Sequence, residues 1–288
     1  MGWHGYLTLW CAALGVAALV GYARSLAGVT RAQRTTRVTG RIDRVSEPRH
    51  GSSPKDGIPV VVSFRDPSTG QEFTVTNDGS CGERIATAWT GREIGVNFPT
   101  GRPHTFRFTN NLVVDGDRGL AWPNTAVFLI YISLVVGAAI GWDWPWALVG
   151  VCGPWAVLTA VTLPQSRRDA RRNAETLNGM TAVPGRVVAV LKNISTDSEG
   201  ATSTSHMPVV AFTTREGAAV TAYCDSGLPQ PADAYGREVV IHYSPADPAD
   251  FTADLAATRR SRTTDITISI LALIVLPAAT VVGAVLLV

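Results

Sequence analysis

Few residues in this chain are of types that do chemistry. The histidines are His4, His50, His104, His206 and His242, and no two fall at metal-ligand spacing on one element. The cysteines, Cys11, Cys81, Cys152 and Cys224, include no C-x-x-C pair, so neither a zinc knuckle nor a dithiol motif is present. A G-x-S-x-G elbow, a Walker loop and an H-E-x-x-H helix are also missing. The one constellation that could supply a nucleophile is Cys224-Asp225 with His242, because an imidazole beside a thiol takes its proton. An isolated cysteine near a strand end is the simpler account, since an internal repeat puts Asn97 at the position of His242. The expectation is therefore a non-enzymatic protein without catalytic, cofactor-binding or metal-binding residues. Cys81 and Cys224 fall in corresponding loops of that repeat; outside a cell they could bridge, whereas a reducing cytoplasm keeps them as thiols.

The arginines carry the clearest physical role. From Met1 to Tyr22, Gly119 to Ser166 and Thr263 to Val288 there is no Lys or Arg, so all 25 basic residues lie in two blocks. Arg167, Arg168, Arg171 and Arg172 begin the second block, and Arg259, Arg260 and Arg262 end it. Arginines beside an anionic leaflet gain about 1 kcal/mol each, so these seven are expected to contact anionic lipid. A net charge of +2 is too small to argue for nucleic acid.

Those arginines are held by the segments between them. Apolar residues make up 46% of the 288-residue chain and charged ones 17%, below the roughly 25% of soluble domains. Uncharged apolar runs predict transmembrane helices over 6–27, 122–141, 145–163 and 266–288, each near the roughly 20 residues that a bilayer requires. The first lacks the basic start of a cleaved signal peptide and is expected to be retained. Gly141-Trp142-Asp143-Trp144 joins the second and third as a tight hairpin. Small residues recur every fourth position, as in Ala13, Ala17 and Gly21, in Gly137 and Gly141, and in Ala279 and Gly283, the pattern of closely packed helices in lipid. Four spans place both intervening blocks on one side, and the arginines flanking them make that side cytoplasmic, with both termini outside. The expected location is the cell membrane, multi-pass.

The blocks between the spans are related. Gly91-Arg92-Glu93-Ile94-Gly95-Val96-Asn97-Phe98 answers Gly236-Arg237-Glu238-Val239-Val240-Ile241-His242-Tyr243, and Gly40-Arg41-Ile42 answers Gly185-Arg186-Val187. Pro59-Val60-Val61-Val62-Ser63-Phe64 resembles Pro208-Val209-Val210-Ala211-Phe212, and Gly70–Val75 resembles Gly217–Thr221. Each copy reads as short strands, rich in β-branched and aromatic residues and bounded by turn residues. The expected fold is membrane α + β: four transmembrane helices with two small antiparallel β-sheet domains, sandwich or barrel-like, at 38–109 and 181–255. The polar stretches Ser46–Gly57 and Asn193–His206 read as loops, the second one flexible. Either could be a partner-binding tip, but a solvated spacer is the plainer reading. The first copy has nine basic and eight acidic residues, and the second four and nine, so the copies differ in charge and could meet each other or bind different partners.

This order of motifs resembles a bacterial integral-membrane family known only as a domain of unknown function, whose members place a small β-domain between transmembrane helices. Tyr243-Ser244-Pro245-Ala246-Asp247-Pro248 fits the pattern best, while Phe98-Pro99-Thr100-Gly101-Arg102-Pro103 departs from it. The resemblance implies a topology and supplies no catalytic residues. The leading expectation is a membrane scaffold or regulatory protein whose paired β-domains bind a protein partner or self-associate. The alternative is a transport or envelope-stress component handling a small apolar or lipidic molecule.

Overall fold

Apolar runs of this length can satisfy their backbone in lipid only as helices, and here they are helical. The computed structural model describes residues 2–30, 33–77, 82–110, 112, 118–197, 200–224 and 227–287, apart from the side chains of 4, 56, 163, 166, 167, 170, 261–270 and 273. Its long helices are α1 (Trp3–Leu26), α2 (Ala121–Gly141), α3 (Pro145–Gly179) and α4 (Leu255–Val285). Three stretches, Gly5–Leu26, Ala121–Gly141 and Pro145–Thr162, are long and apolar enough to cross a membrane. The fourth expected span lies in α4, where the apolar stretch among the described residues is the shorter Ile274–Val285. The helices expose apolar side chains around their circumference, as a lipid-facing surface would: Leu19, Trp122 and Val161 are 70%, 68% and 71% exposed.

Small residues sit where these helices meet. A methyl group on Gly21 would come within 2.9 Å of Pro123, one on Gly137 within 2.7 Å of Leu7, and one on Gly283 within 2.9 Å of Leu148. Gly150 faces Val135 in the same way, and its carbonyl accepts a hydrogen bond from the Tyr131 hydroxyl. Close backbone approach of this kind maximises dispersion contact where no hydrophobic effect drives association.

The second unit joins Thr35–Asp115 to Ala174–Arg260. In the first copy the strands are β1 (Thr35–Val45), β2 (Val60–Arg65), β3 (Glu72–Thr76), β4 (Thr87–Trp89), β5 (Glu93–Pro99) and β6 (Arg107–Thr109). In the second they are β7 (Thr181–Thr196), β8 (Thr202–Thr213), β9 (Ala219–Tyr223), β10 (Glu238–Ser244) and β11 (Asp247–Thr252). One sheet runs β3-β2-β1-β5-β6 and the other β11-β10-β7-β8-β9-β4, all pairs antiparallel. The five-strand order is the same in both copies, and the second sheet curls nearly into a barrel.

The repeat extends to individual bonds. In the first copy the Ile42 N–H donates to the Arg92 carbonyl (2.9 Å) and the Gly91 N–H to the Ile42 carbonyl (2.7 Å). In the second, Val187 donates to Arg237 and Gly236 to Val187, both at 2.9 Å. The pairing register shifts between Ile42 and Arg44, and again between Val187 and Ala189, so the same β-bulge bends both first strands. Gly40 and Gly185 stand just before those bulges. A methyl group would fall 2.8 Å from Val62 at Gly40 and 2.8 Å from Ile241 at Gly185, with a facing carbonyl, Ser63 or Ala211, within 3.3 Å. The copies diverge at the β2–β3 and β8–β9 turns. Asp66 folds back on the N–H and hydroxyl of Ser68, which hold its carboxyl below the usual carboxylate range. In the second copy the buried Tyr243 hydroxyl does the tying: it accepts from the Arg215 N–H and donates to Glu216. The first copy has Phe98 at that position and its turn does not need the hydroxyl.

One core spans both copies. Ile42, Val62, Phe64, Ile94, Val96 and Phe98 pack with Ala189, Leu191, Val209 and Tyr223 of the second copy. A second cluster fills the curled sheet with Val187, Val190, Val210, Phe212, Ile241 and Tyr243, and Trp89 from β4 packs on it. Strand β7 is consequently buried on both faces at Val187, Ala189, Val190 and Leu191, each fully inaccessible.

The two polar stretches are not spacers. Around Ser46–Gly57, the Gly51 N–H donates to the Val190 carbonyl (2.8 Å), the Lys192 N–H to the Ser52 carbonyl (2.9 Å), and the Val190 N–H to His50 Nδ1 (3.1 Å). That segment extends the second sheet along β7, and His50 stacks on Tyr235 at 4.2 Å. Of the stretch Asn193–His206, residues Asn193–Thr196 and Thr202–His206 are strand and not loop: β7 and β8 remain paired out to Thr196 and Thr202, forming an exposed ribbon. Threonine-rich alternation favours an extended strand, and low apolar content was a misleading guide to disorder.

Adding a methyl group at Gly40 or Gly185 should cost about 1–3 kcal/mol, read as a lowered thermal midpoint of the detergent-solubilised chain; Gly15→Ala, which has open space, should leave it unchanged. Leu191→Ala should cost about 2–5 kcal/mol, and hydrogen exchange should then rise in β1 and β2 of the first copy as well as in β7.

Candidate functional site

Cys224 and His242, the thiol and imidazole singled out by the sequence, stand on or beside separate strands. Cys224 follows β9 and donates its N–H to Pro208, which pairs with Val190 on β7. His242 is in β10 and pairs with Ala182 at the start of β7, and with Thr252 on β11. Strands β7 and β8, and an offset of eight residues along β7, separate them. Cys224 is buried and packed with Val220, Ala222 and Ala234, the usual place for a small apolar side chain. Asp225 and Cys81 lie outside the described residues. Among the described residues no three His, Cys, Asp or Glu side chains could hold a metal together.

The polar chemistry of the β unit is concentrated where the two copies join. Strand β4 leaves its own copy and pairs with β9, matching Thr87, Ala88 and Trp89 to Ala222, Thr221 and Val220. The Tyr223 N–H donates to the Ala86 carbonyl at 2.8 Å. Arg84 lies over the Tyr223 ring at 5.0 Å, and Arg92 over Trp89 at the same distance, where the negative ring face attracts the cation. Burial pulls the Arg92 guanidinium below its ordinary value, while the Asp247 carboxylate of the second copy acts in the opposite direction. Nothing in residue spacing announced the transfer of β4; its one trace is the short run Ile85-Ala86-Thr87-Ala88-Trp89, which the second copy replaces with Pro229-Gln230-Pro231.

The seven arginines expected at anionic lipid are carried by two helices. Arg168, Arg171 and Arg172 are exposed on the polar extension of α3, at spacings of three and four that share one helix face. Arg259 and Arg260 are exposed in the first turns of α4. Asp254 caps that helix by accepting the Ala257 N–H (2.9 Å), and Arg259 reaches Asn178 at 3.1 Å, tying the start of α4 to the end of α3. The Arg167 and Arg262 side chains lie outside the described residues.

Among the described residues the β unit also presents an exposed polar ribbon. The ribbon from Lys192 to Thr196 and from Thr202 to Ser205 is exposed throughout, with Ile194 67% accessible. No family model, no curated protein and no solved structure matches this chain.

Proposed function

We propose that this chain is a non-enzymatic, multi-pass membrane protein whose duplicated β-domains act as one interaction module, in a scaffold or regulatory role. The observation that carries this reading is the core common to both copies, which makes a single compact β unit out of segments that alternate along the chain with apolar helices. The separation of Cys224 from His242 removes the constellation on which an enzymatic reading would rest. In this proposal α4 is the fourth span, the β unit is cytoplasmic, and the exposed arginines of α3 and α4 rest against anionic headgroups. Arginine at the cytoplasmic ends of spans is the distribution that fixes orientation during insertion. Membership of the bacterial family named above, with its β-domain between spans, belongs to the same proposal. The transport alternative has less support, because Gly21, Gly137, Gly150 and Gly283 bring the helices into direct contact.

Two measurements test the proposal. A membrane-impermeant thiol reagent should label Cys81 only after cells are lysed; labelling of intact cells would place the β unit outside. Crosslinking at native expression followed by mass spectrometry should recover a protein joined to the β unit, and recovery of lipid alone would refute the interaction role.

A further inference from the structure

The duplicated sheets differ at one edge, and that difference indicates a binding surface. In the second copy β9 is covered by β4, whose Ala88 stands opposite Thr221, and the strand from Val220 to Tyr223 is buried. Thr74 of β3 is the counterpart of Thr221, as Ser63 facing Thr74 and Ala211 facing Thr221 show. Yet β3 ends its sheet among the described residues. Glu72, Thr74 and Thr76 are exposed, and Phe73 and Val75 only half-buried against the core. The second copy has no strand to send back, because the corresponding stretch carries Pro229 and Pro231 and forms a 3₁₀ turn over Pro231–Asp233.

The backbone of β3 is oriented for a further strand. The Asp66 N–H donates to the Gln71 carbonyl at 2.9 Å, which makes that pair a hydrogen-bonded one. Bonded and non-bonded pairs alternate along an antiparallel ladder, so Phe73 and Val75 bond to β2 while the N–H and C=O of Glu72 and Thr74 point away from it. No lysine, proline or bulge guards the strand, the usual protections of an exposed edge.

We propose that this edge is the contact through which two copies of the chain associate, β3 against β3 across a two-fold axis at Thr74. The proposal rests on the reading of the β unit as an interaction module and names its partner. Glu-Phe-Thr-Val-Thr is complementary to itself in that register: Thr74 meets Thr74, Phe73 meets Val75, and Glu72 meets Thr76. Aromatic and β-branched side chains form favourable cross-strand pairs, and the one carboxylate faces a hydroxyl instead of its own copy. Charge agrees: the first copy is nearly neutral, with nine basic and eight acidic residues, whereas the second, with four and nine, would repel itself. A symmetric contact of this kind is closed and stops at the dimer.

The test uses the full-length chain in its own membrane. With T74C, mild oxidation should give a disulfide-linked dimer whose bridging peptide is 74 to 74, since directly opposed residues stand within the roughly 4.4–6.8 Å that a disulfide spans. V75C should give little, because two-fold pairing at Thr74 sets residue 75 two positions from its equivalent. In an E72C/T76C chain, crosslinking between copies should be lost on adding T74P, which removes an outward N–H and leaves the bonds to β2 intact. Equal crosslinking of T74C and V75C, or none with T74C, would overturn the proposal. Capture of a different protein on the β unit alongside a monomeric T74C chain would overturn it too, while leaving the wider interaction reading in place.

Discussion

Five antiparallel strands present two faces, and a copy of this size fills only one of them from its own sequence. Here the first copy lays its apolar face on strands β7, β8 and β9 of the second, so that Leu191, Val209 and Tyr223 sit among Ile42, Val62 and Phe64. At about 1.5–3 kcal/mol for each large apolar side chain removed from water, this shared layer outweighs any single hydrogen bond in the unit. The remaining features follow from it. Strand β7 must be apolar on both faces, β4 can cross to β9 because the two sheets are already in contact, and the segment around His50 falls along the edge of β7.

Much of this architecture was readable in advance, for physical reasons. Helices need long uncharged runs, and such runs have no other stable state in lipid, so three of the spans stand where expected. The duplication was legible because glycine at Gly40, Gly91, Gly185 and Gly236 is demanded by close approach or by backbone angle, and those demands survive when side chains drift. What escaped were contacts between distant segments. A three-residue strand such as Thr87–Trp89 carries too little pattern to reveal its partner. Asn193–His206 was misread because serine and threonine serve loops and edge strands alike. The burial of β7 does have a trace in the sequence: Val187-Val188-Ala189-Val190-Leu191 is apolar without alternation, the mark of a strand covered on both sides.

The candidate site was legible chiefly in its negative part. Sparse histidines and cysteines left Cys224 and His242 as the one pair to weigh, and the strand order separates them. The arginines were visible because charge beside an apolar run is hard to mistake, and Arg168, Arg171, Arg172, Arg259 and Arg260 stand on exposed helical surface. An open strand edge leaves almost no trace in composition. It becomes visible only when two copies of one sheet can be compared and one lacks a neighbour that the other has.

The passage of β4 from one copy to the other also governs how the protein is made. Ala88 pairs with Thr221, so the first copy leaves the ribosome with its apolar face unmatched. At about 5–20 residues per second, the intervening chain takes roughly seven to thirty seconds to synthesise, and the α2–α3 hairpin lies within that stretch. During that interval the apolar face of the nascent first copy lacks its native cover. The β unit is therefore completed only after α2 and α3, the helices between its halves, have been made, and before α4.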